Sequence, residues 1–421
     1  MPIYRPDDQR VVITGVGAMT ALALTMQETW EALLAGRSGI APITQFDAST
    51  LPTQFAGEVR GFDPGKYMNP KEARRIARCS QLAIATTKEV LADAGLPQVF
   101  GVDGEGERVG VLIGTAVGGL DRASAEIEAY HSHRQVGKVG PFAGTSMLAN
   151  MPAHHISQLV QALGPNNTVV TACASGTQAV GEAAEVIRRK AADVMICGGV
   201  DNLVQDFAFA GFSAMRALST RNDAPAQASR PFDKDRDGFI LSDGCALLAL
   251  ESLPHARARG ARIYAEVLGQ SSSSDAYHVA APDPDAAGAV RAMRWALQDA
   301  RVNPDEVEYI NAHGTSTPLN DAGETKAIKA MFGDAAYRIP VSSTKSMLGH
   351  CMGASGAIEA IVCALTIHHG AIPPTINYQT PDPECDLDYV PNTARQKSVR
   401  VTLTNTFGLG GQNACLVLGV L

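Results

Sequence analysis

Short runs of β-branched and aliphatic residues alternate along the chain with longer Ala-rich stretches whose apolar positions recur at helical spacing. Residues 10–14 precede 21–34, 109–113 precede 124–130, and 168–171 precede 177–190, so each strand-like run leads into a helical one. That rhythm predicts an α/β fold. Residues 194–197 read as a further strand, 217–238 as an irregular segment rich in Asp, Arg, Ser and Pro, and 244–251 as a buried strand. The rhythm then restarts: 263–268 strand, 288–300 helix, 309–312 strand, 323–332 helix, 340–343 strand. The restart places a boundary near residue 255 and divides the chain into 1–255 and 256–421.

The two parts echo each other. Ala174-Ser175-Gly176, followed by Ala179, Val180 and Ala183, matches Ala354-Ser355-Gly356, followed by Ala357, Ile358 and Ala360. Each triplet opens an Ala-rich helix whose small residues suit close packing between sheets, which suggests a duplicated α/β unit.

Composition narrows the function classes. The 421 residues allow two or three units or one large body, and 45% hydrophobic against 19% charged residues excludes a disordered chain. A formal charge of −8 removes any global basic field for nucleic acid or anionic lipid. No apolar run reaches membrane-span length. The first ten residues carry Arg5, Asp7 and Asp8 where an export signal needs an apolar core, so a cytoplasmic chain without a membrane span is expected. The eight cysteines are dispersed without a Cys-x-x-Cys pair, as expected of reduced thiols.

Four motifs are set aside. Gly15-Val16-Gly17 lies between a strand and a helix, but Thr20 replaces the third glycine of a dinucleotide fingerprint. Asp233 to Gly238 copies the first half of a calcium loop, yet Gly244 stands where the bidentate Glu belongs. His368 and His369 close a helix beside Gly370, and His154 and His155 lack further ligands at metal spacing. No metal site is expected.

Cys173 is the candidate nucleophile, because it falls at the turn between a strand and a helix that begins near Ala174. Free N–H groups and the dipole at a helix start favour thiolate and hold a developing oxyanion. His313, in Asn311 to Thr317, and His350, in Lys345 to His350, occupy Gly-containing loops after strand-like runs. Ligands of open α/β sheets bind beyond the carboxyl ends of strands, so these loops and Lys345 converge on Cys173 if the two halves pack face to face.

Thr171 to Gly176, Asn311 to Thr317, Ser342 to Ser346 with Gly349-His350, and Asn405 to Asn413 together resemble the elongating Cys-His-His β-ketoacyl-[acyl carrier protein] synthases. The resemblance covers nearly the whole chain, including Ser219 to Asn222 and Ser229 to Asp233. It implies a thiolase-like fold, two duplicated α/β halves stacked as α-β-α-β-α layers, in a homodimer. Cys173 takes an acyl chain from the phosphopantetheine of acyl carrier protein, and the cofactor arrives on that partner rather than residing in the chain. His313 and His350 act on malonyl decarboxylation, Lys345 orients His350 with Glu359 as its partner, and N–H groups of Cys173 and the Leu409-Gly410 turn hold the oxyanion. Thr315 and Thr317 bond the pantetheine amides, and Val117 walls the acyl pocket.

In Phe407 to Asn413 this chain departs from the family, with Leu409 where relatives commonly carry a gating Phe and Gln412 for Thr or His. Lys71, Arg74, Arg75 and Arg78 follow a cap at Asn69 and Pro70 at spacing that puts four cations on one helix face, suited to an acidic carrier protein. Lys138 and Arg216 match basic docking positions of the family. Two other readings stay open: a ketosynthase subunit of a type II polyketide-like pathway, and a silent chain-length partner, which typically lacks the cysteine.

Overall fold

The computed structural model describes residues 5–101 and 104–421; residues 1–4 of the N-terminal segment discussed above lie outside them. The first half contributes five strands to the main sheet: β1 (Val11–Met19), β2 (Val109–Gly114), β3 (Asn166–Val169), β4 (Val194–Asp201) and β5 (Gly244–Ser252). They lie in the order β3-β2-β4-β5-β1, with β3, β2 and β4 parallel and β5 antiparallel to both its neighbours. The second half repeats this with β6 (Ala265–Ser274), β7 (Tyr309–Asn311), β8 (Val341–Ser342), β9 (Val401–Gly408) and β10 (Gln412–Gly419). Its order, β8-β7-β9-β10-β6, carries the same pattern of directions. The sequence echo is therefore a duplication of topology. The sheets meet edge to edge where Val12 and Ile13 of β1 pair with Glu266 and Ala265 of β6.

Five helices make the layers: α1 (Arg78–Ala94), α2 (Ser175–Arg188), α3 (Ala287–Ala300), α4 (Pro318–Phe332) and α5 (Ser355–His369). Alternate residues of β5 face opposite ways. Ala246, Leu248 and Leu250 join the central core with α2 and α5, while Cys245, Leu247 and Ala249 join the outer core under α1. In β10, Leu416 and Leu418 face the centre, and Cys415 and Val417 face α3 and α4. Strands buried on both faces read as continuous apolar runs, and the result is the expected α-β-α-β-α stack. Among the described residues no helix is long and apolar enough to cross a membrane.

Three local expectations are corrected. β1 runs on to Met19 through Gly15 and Gly17, past residue 14 where the strand was expected to end. A Cβ on Gly15 would lie 2.6 Å from the Val90 carbonyl of α1, so close strand–helix contact explains that glycine. The helix expected over 21–34 starts only at Met26, capped by Thr25, whose hydroxyl accepts from the Glu28 N–H. The cations from Lys71 to Arg78 share no single helix, because one short helix covers Pro70–Ala73 and α1 begins afresh at Arg78. Asp233 of the calcium-like loop is buried and accepts from the N–H groups of Gln379 and Thr380, both at 2.6 Å.

Candidate active site

β3 ends at Val169, and the chain turns through Ala172–Ala174 before entering α2 at Ser175. Ala172 takes a φ of +50°, a left-handed conformation uncommon for a side-chain-bearing residue, and the turn is pinned by Ser175. Its hydroxyl accepts from the Thr171 N–H at 2.8 Å and donates to the Ala172 carbonyl at 2.7 Å. Cys173 sits at this turn, 4% exposed. The second half copies the construction before α5, with Met352 at φ +47° and Gly353 standing where the first half has Cys173.

His313 follows β7, and its loop hangs on Glu324 of α4, whose carboxylate accepts from the N–H groups of His313 at 2.9 Å and Gly314 at 2.8 Å. Lys345 donates from Nζ to the His313 carbonyl at 2.7 Å, lies 3.4 Å from His313 Nδ1, and pairs with Glu359 of α5. Its direct partner is thus His313, not His350 as expected. His350 places Nε2 3.0 Å from Cys173 Sγ and Nδ1 2.9 Å from Ser355 Oγ. The two imidazole rings lie 5.4 Å apart at 82°, and nitrogen and sulfur atoms of Cys173, His313 and His350 all fall within 4.8 Å of one another.

Burial decides the resting protonation. It pushes the Cys173 thiol up to about 11, against the opposing pull of the Leu409 N–H, the Lys345 charge and the cysteine's own N–H. The helix start does not produce a resting thiolate, because desolvation outweighs it. His313 and His350 are held well below the usual imidazole range by burial and by the Lys345 charge. A neutral thiol therefore faces a neutral imidazole.

The N–H groups of Cys173 and Leu409 both address the sulfur. Gly410 takes no part, since its N–H donates to the Val279 carbonyl at 3.0 Å. Phe407 lays its ring 5.8 Å from that of His313. A cavity of about 520 Å³ opens over these groups, lined by Thr315, Thr317, Phe239, Leu409 and, at its rim, the exposed Arg216. Val117 is 43% exposed and does not line this cavity in the single chain.

Residues 8–256 match the model of the beta-ketoacyl synthase N-terminal domain and 264–379 that of the C-terminal domain. The chain belongs to the β-ketoacyl synthases. It is 47% identical over 412 residues to 3-oxoacyl-[acyl-carrier-protein] synthase 2 of Synechocystis sp., covering 97% of this chain and 98% of that one. Against the same-named protein of Coxiella burnetii the identity is 45%, with 98% and 99% covered. Among solved structures, the ishigamide ketosynthase/chain length factor superposes with a TM-score of 0.91 at 38% identity, covering 98% of this chain and 99% of that one. A type II PKS acyl-carrier protein in complex with its ketosynthase bound to the hexaketide gives 0.88 at 32%, with 98% and 99% covered. With its Cys-His-His set in place, the chain is an acyltransferase of this family.

Three residues of this ketosynthase site escape a reading of the sequence. Asp201, at the end of β4, accepts from Thr115 Oγ1 at 2.6 Å and from the N–H groups of Ala116 at 2.8 Å and Gly353 at 2.7 Å, lacing the two halves together. Glu324 and Ser355 likewise act from beneath the loops. Only the end of an apolar strand could have flagged Asp201. The basic residues lie outside: Lys71, Arg74, Arg75 and Lys138 are exposed, and Arg75 sits 5.1 Å from the Phe142 ring centroid. Arg78 instead donates to the Val59 carbonyl at 2.9 Å.

Proposed function

We propose that this ketosynthase condenses an acyl chain held on Cys173 with malonyl-[acyl carrier protein], releasing CO₂ and a 3-oxoacyl-[acyl carrier protein] two carbons longer, in fatty acid biosynthesis. The observation that carries the reading is the 3.0 Å contact between Cys173 Sγ and His350 Nε2, with His313 beside it. In the first half-reaction the sulfur attacks the acyl thioester carbon, its proton passes to His350, and pantetheine leaves as a thiol. In the second, the malonyl carboxylate departs as CO₂ while imidazole N–H groups of His313 and His350 stabilise the enolate oxygen. The enolate carbon attacks the acyl-Cys173 carbonyl, whose oxygen the Cys173 and Leu409 N–H groups receive, and the C–S bond breaks.

Lys345, paired with Glu359, fixes His313 in this scheme. Thr315 and Thr317, whose hydroxyls share a 2.9 Å hydrogen bond at the cavity wall, meet the pantetheine arm. Phe407 and Leu409 border the acyl path, and Leu409 gives it a smaller gate than a Phe would. Lys71, Arg74, Arg75, Lys138 and Arg216 form the face that receives the carrier protein. The working unit is a cytoplasmic homodimer divided internally into 1–255 and 256–421. The outer edge of β3 pairs with no strand among the described residues and lies beside exposed Val170, which supports a second copy there and gives Val117 a place against it.

Likeness to a ketosynthase/chain length factor structure and to a type II PKS ketosynthase favours one alternative, a polyketide-type pathway using the same chemistry. Retention of Cys173 speaks against a silent subunit. Incubation of the purified protein with acyl and malonyl carrier proteins, followed by mass measurement of the carried chain, tests the reading. A gain of one two-carbon 3-oxo unit, abolished in Cys173→Ala, is expected. No extension, or extension only with a dedicated second subunit, overturns the fatty acid assignment.

A further inference from the structure

The duplication places a serine at the first position of both central helices, and the two are used differently. Ser175 spends its hydroxyl on backbone groups, bonding Thr171 and Ala172 of its own turn and the Thr115 carbonyl beside it. Ser355, buried at 3% exposure, turns to the imidazole: its partner among the described residues is His350 Nδ1 at 2.9 Å. Through the ring, the line continues from Nε2 to Cys173 Sγ at 3.0 Å. We infer that Ser355 is a positioning residue that fixes the orientation and proton inventory of His350, and that its ability both to accept and to donate serves the two half-reactions in turn.

The inference rests on the proposed condensation and deepens it. In the resting enzyme the thiol donates to bare Nε2, so the ring proton is on Nδ1 and Ser355 Oγ accepts it. When the sulfur attacks, the S–H bond breaks, an Nε2–H bond forms, and the Nδ1–H bond to Ser355 becomes charge-assisted, stabilising the imidazolium. The departing pantetheine sulfur takes the Nε2 proton. Decarboxylation calls on the other tautomer, Nε2–H with Nδ1 bare, and Ser355 serves it by turning its O–H toward Nδ1. A methyl group at the same place serves neither state. The charged and titratable groups facing the pair are His313 after β7, Lys345 ahead of His350 with Glu359 of α5 behind it, and Asp201 at the end of β4. Ser355→Ala changes none of them.

The test is carried on the full-length enzyme. The rate at which iodoacetamide alkylates Cys173 is followed against pH in wild type, Ser355→Ala and Ser355→Thr. The Ala variant is expected to shift the log rate–pH line to the alkaline side by about one unit, a tenfold loss at fixed pH, and Thr to return it toward wild type. Nitrogen-15 shifts of His350 in unmodified enzyme, free of any folding defect in a variant, should show a protonated Nδ1. Superimposable Ala and wild-type lines, or a bare Nδ1 in the resting enzyme, overturn the inference. Because alkylation needs no carrier protein, this result is independent of whether condensation is observed.

Discussion

Gly356 of α5 lies against Thr177 of α2: a Cβ added at Gly356 would stand 2.0 Å from Thr177 Oγ1 and 2.6 Å from its backbone nitrogen. The reciprocal contact is as tight, with a Cβ on Gly176 2.5 Å from the Gly353 carbonyl oxygen. The two central helices therefore begin where their backbones touch, and that contact sets Cys173 against His350. A hydroxyl can swing aside, but the backbone nitrogen cannot. Gly356→Ala is expected to destabilise the protein by about 1–3 kcal/mol and to lower activity even at temperatures where it stays folded. Denaturant midpoints together with condensation rates check this; a variant with wild-type stability and turnover would show that the helices are free to separate.

All eight cysteines are unpaired and buried, yet one should react. Burial pushes Cys245 and Cys363 up to about 12 and both Cys173 and Cys385 up to about 11, but of the eight Cys173 alone lines the cavity over the histidines. Limited iodoacetamide treatment of the native protein is expected to add a single label, at Cys173, faster as pH rises, with activity lost in proportion. Peptide mass mapping that finds several labelled cysteines at partial inactivation would contradict this.

Glu324 holds the His313 loop, and burial pushes its carboxyl from 4.5 up to about 7. An acid whose folded value is raised binds more protons native than unfolded between those limits, so its contribution is fully present below about pH 4.5 and is lost as pH rises through about 7. Glu324→Gln should flatten the fall in stability across that window. It should also slow condensation, because the His313 and Gly314 N–H groups address different oxygens of the carboxylate, and the amide puts an NH2 donor in the place of one of them. Melting temperatures measured across the window, compared with wild type, read the slope directly, and an unchanged slope would remove Glu324 from the account.

Charge reversal at Arg74 and Arg75 should raise KM for carrier-protein substrates while sparing a small thioester. Arg78, bonded to the Val59 carbonyl, offers the contrast: its replacement should cost stability rather than docking. Equal losses on carrier-borne and small substrates for the Arg74 and Arg75 reversals would place the carrier elsewhere.

The residues that react were legible in the chain because their surroundings are local. A strand end, a glycine and a helix start mark Cys173, and comparable loops mark His313 and His350. The face-to-face halves were foreshadowed by the repeated Ala-Ser-Gly triplet. The supporting groups were not legible, because nothing in a single sequence distinguishes Asp201, Glu324 or Ser355 from a solvated carboxylate or an ordinary helix cap; their role arises from which distant loop they reach. Strand β1 was cut short for the opposite reason. Gly15 and Gly17 look like a turn signal, whereas their lack of a side chain lets α1 press against the strand. The cationic face on 71–78 failed because spacing alone cannot show that a helix stops after Ala73.

The turn before α5 repeats the one before α2, but Gly353 occupies the nucleophile's position, and a Cβ there would meet Asp201 Oδ2 at 2.6 Å and the Ala116 nitrogen at 2.7 Å. The symmetry of the two halves is broken at this point: the space a second sulfur would need is filled by the carboxylate that ties the halves together. One copy of the repeat carries the thiol and the other carries the bases aimed at it, so a chain severed between them holds neither a weakened nor a half-active centre, but none.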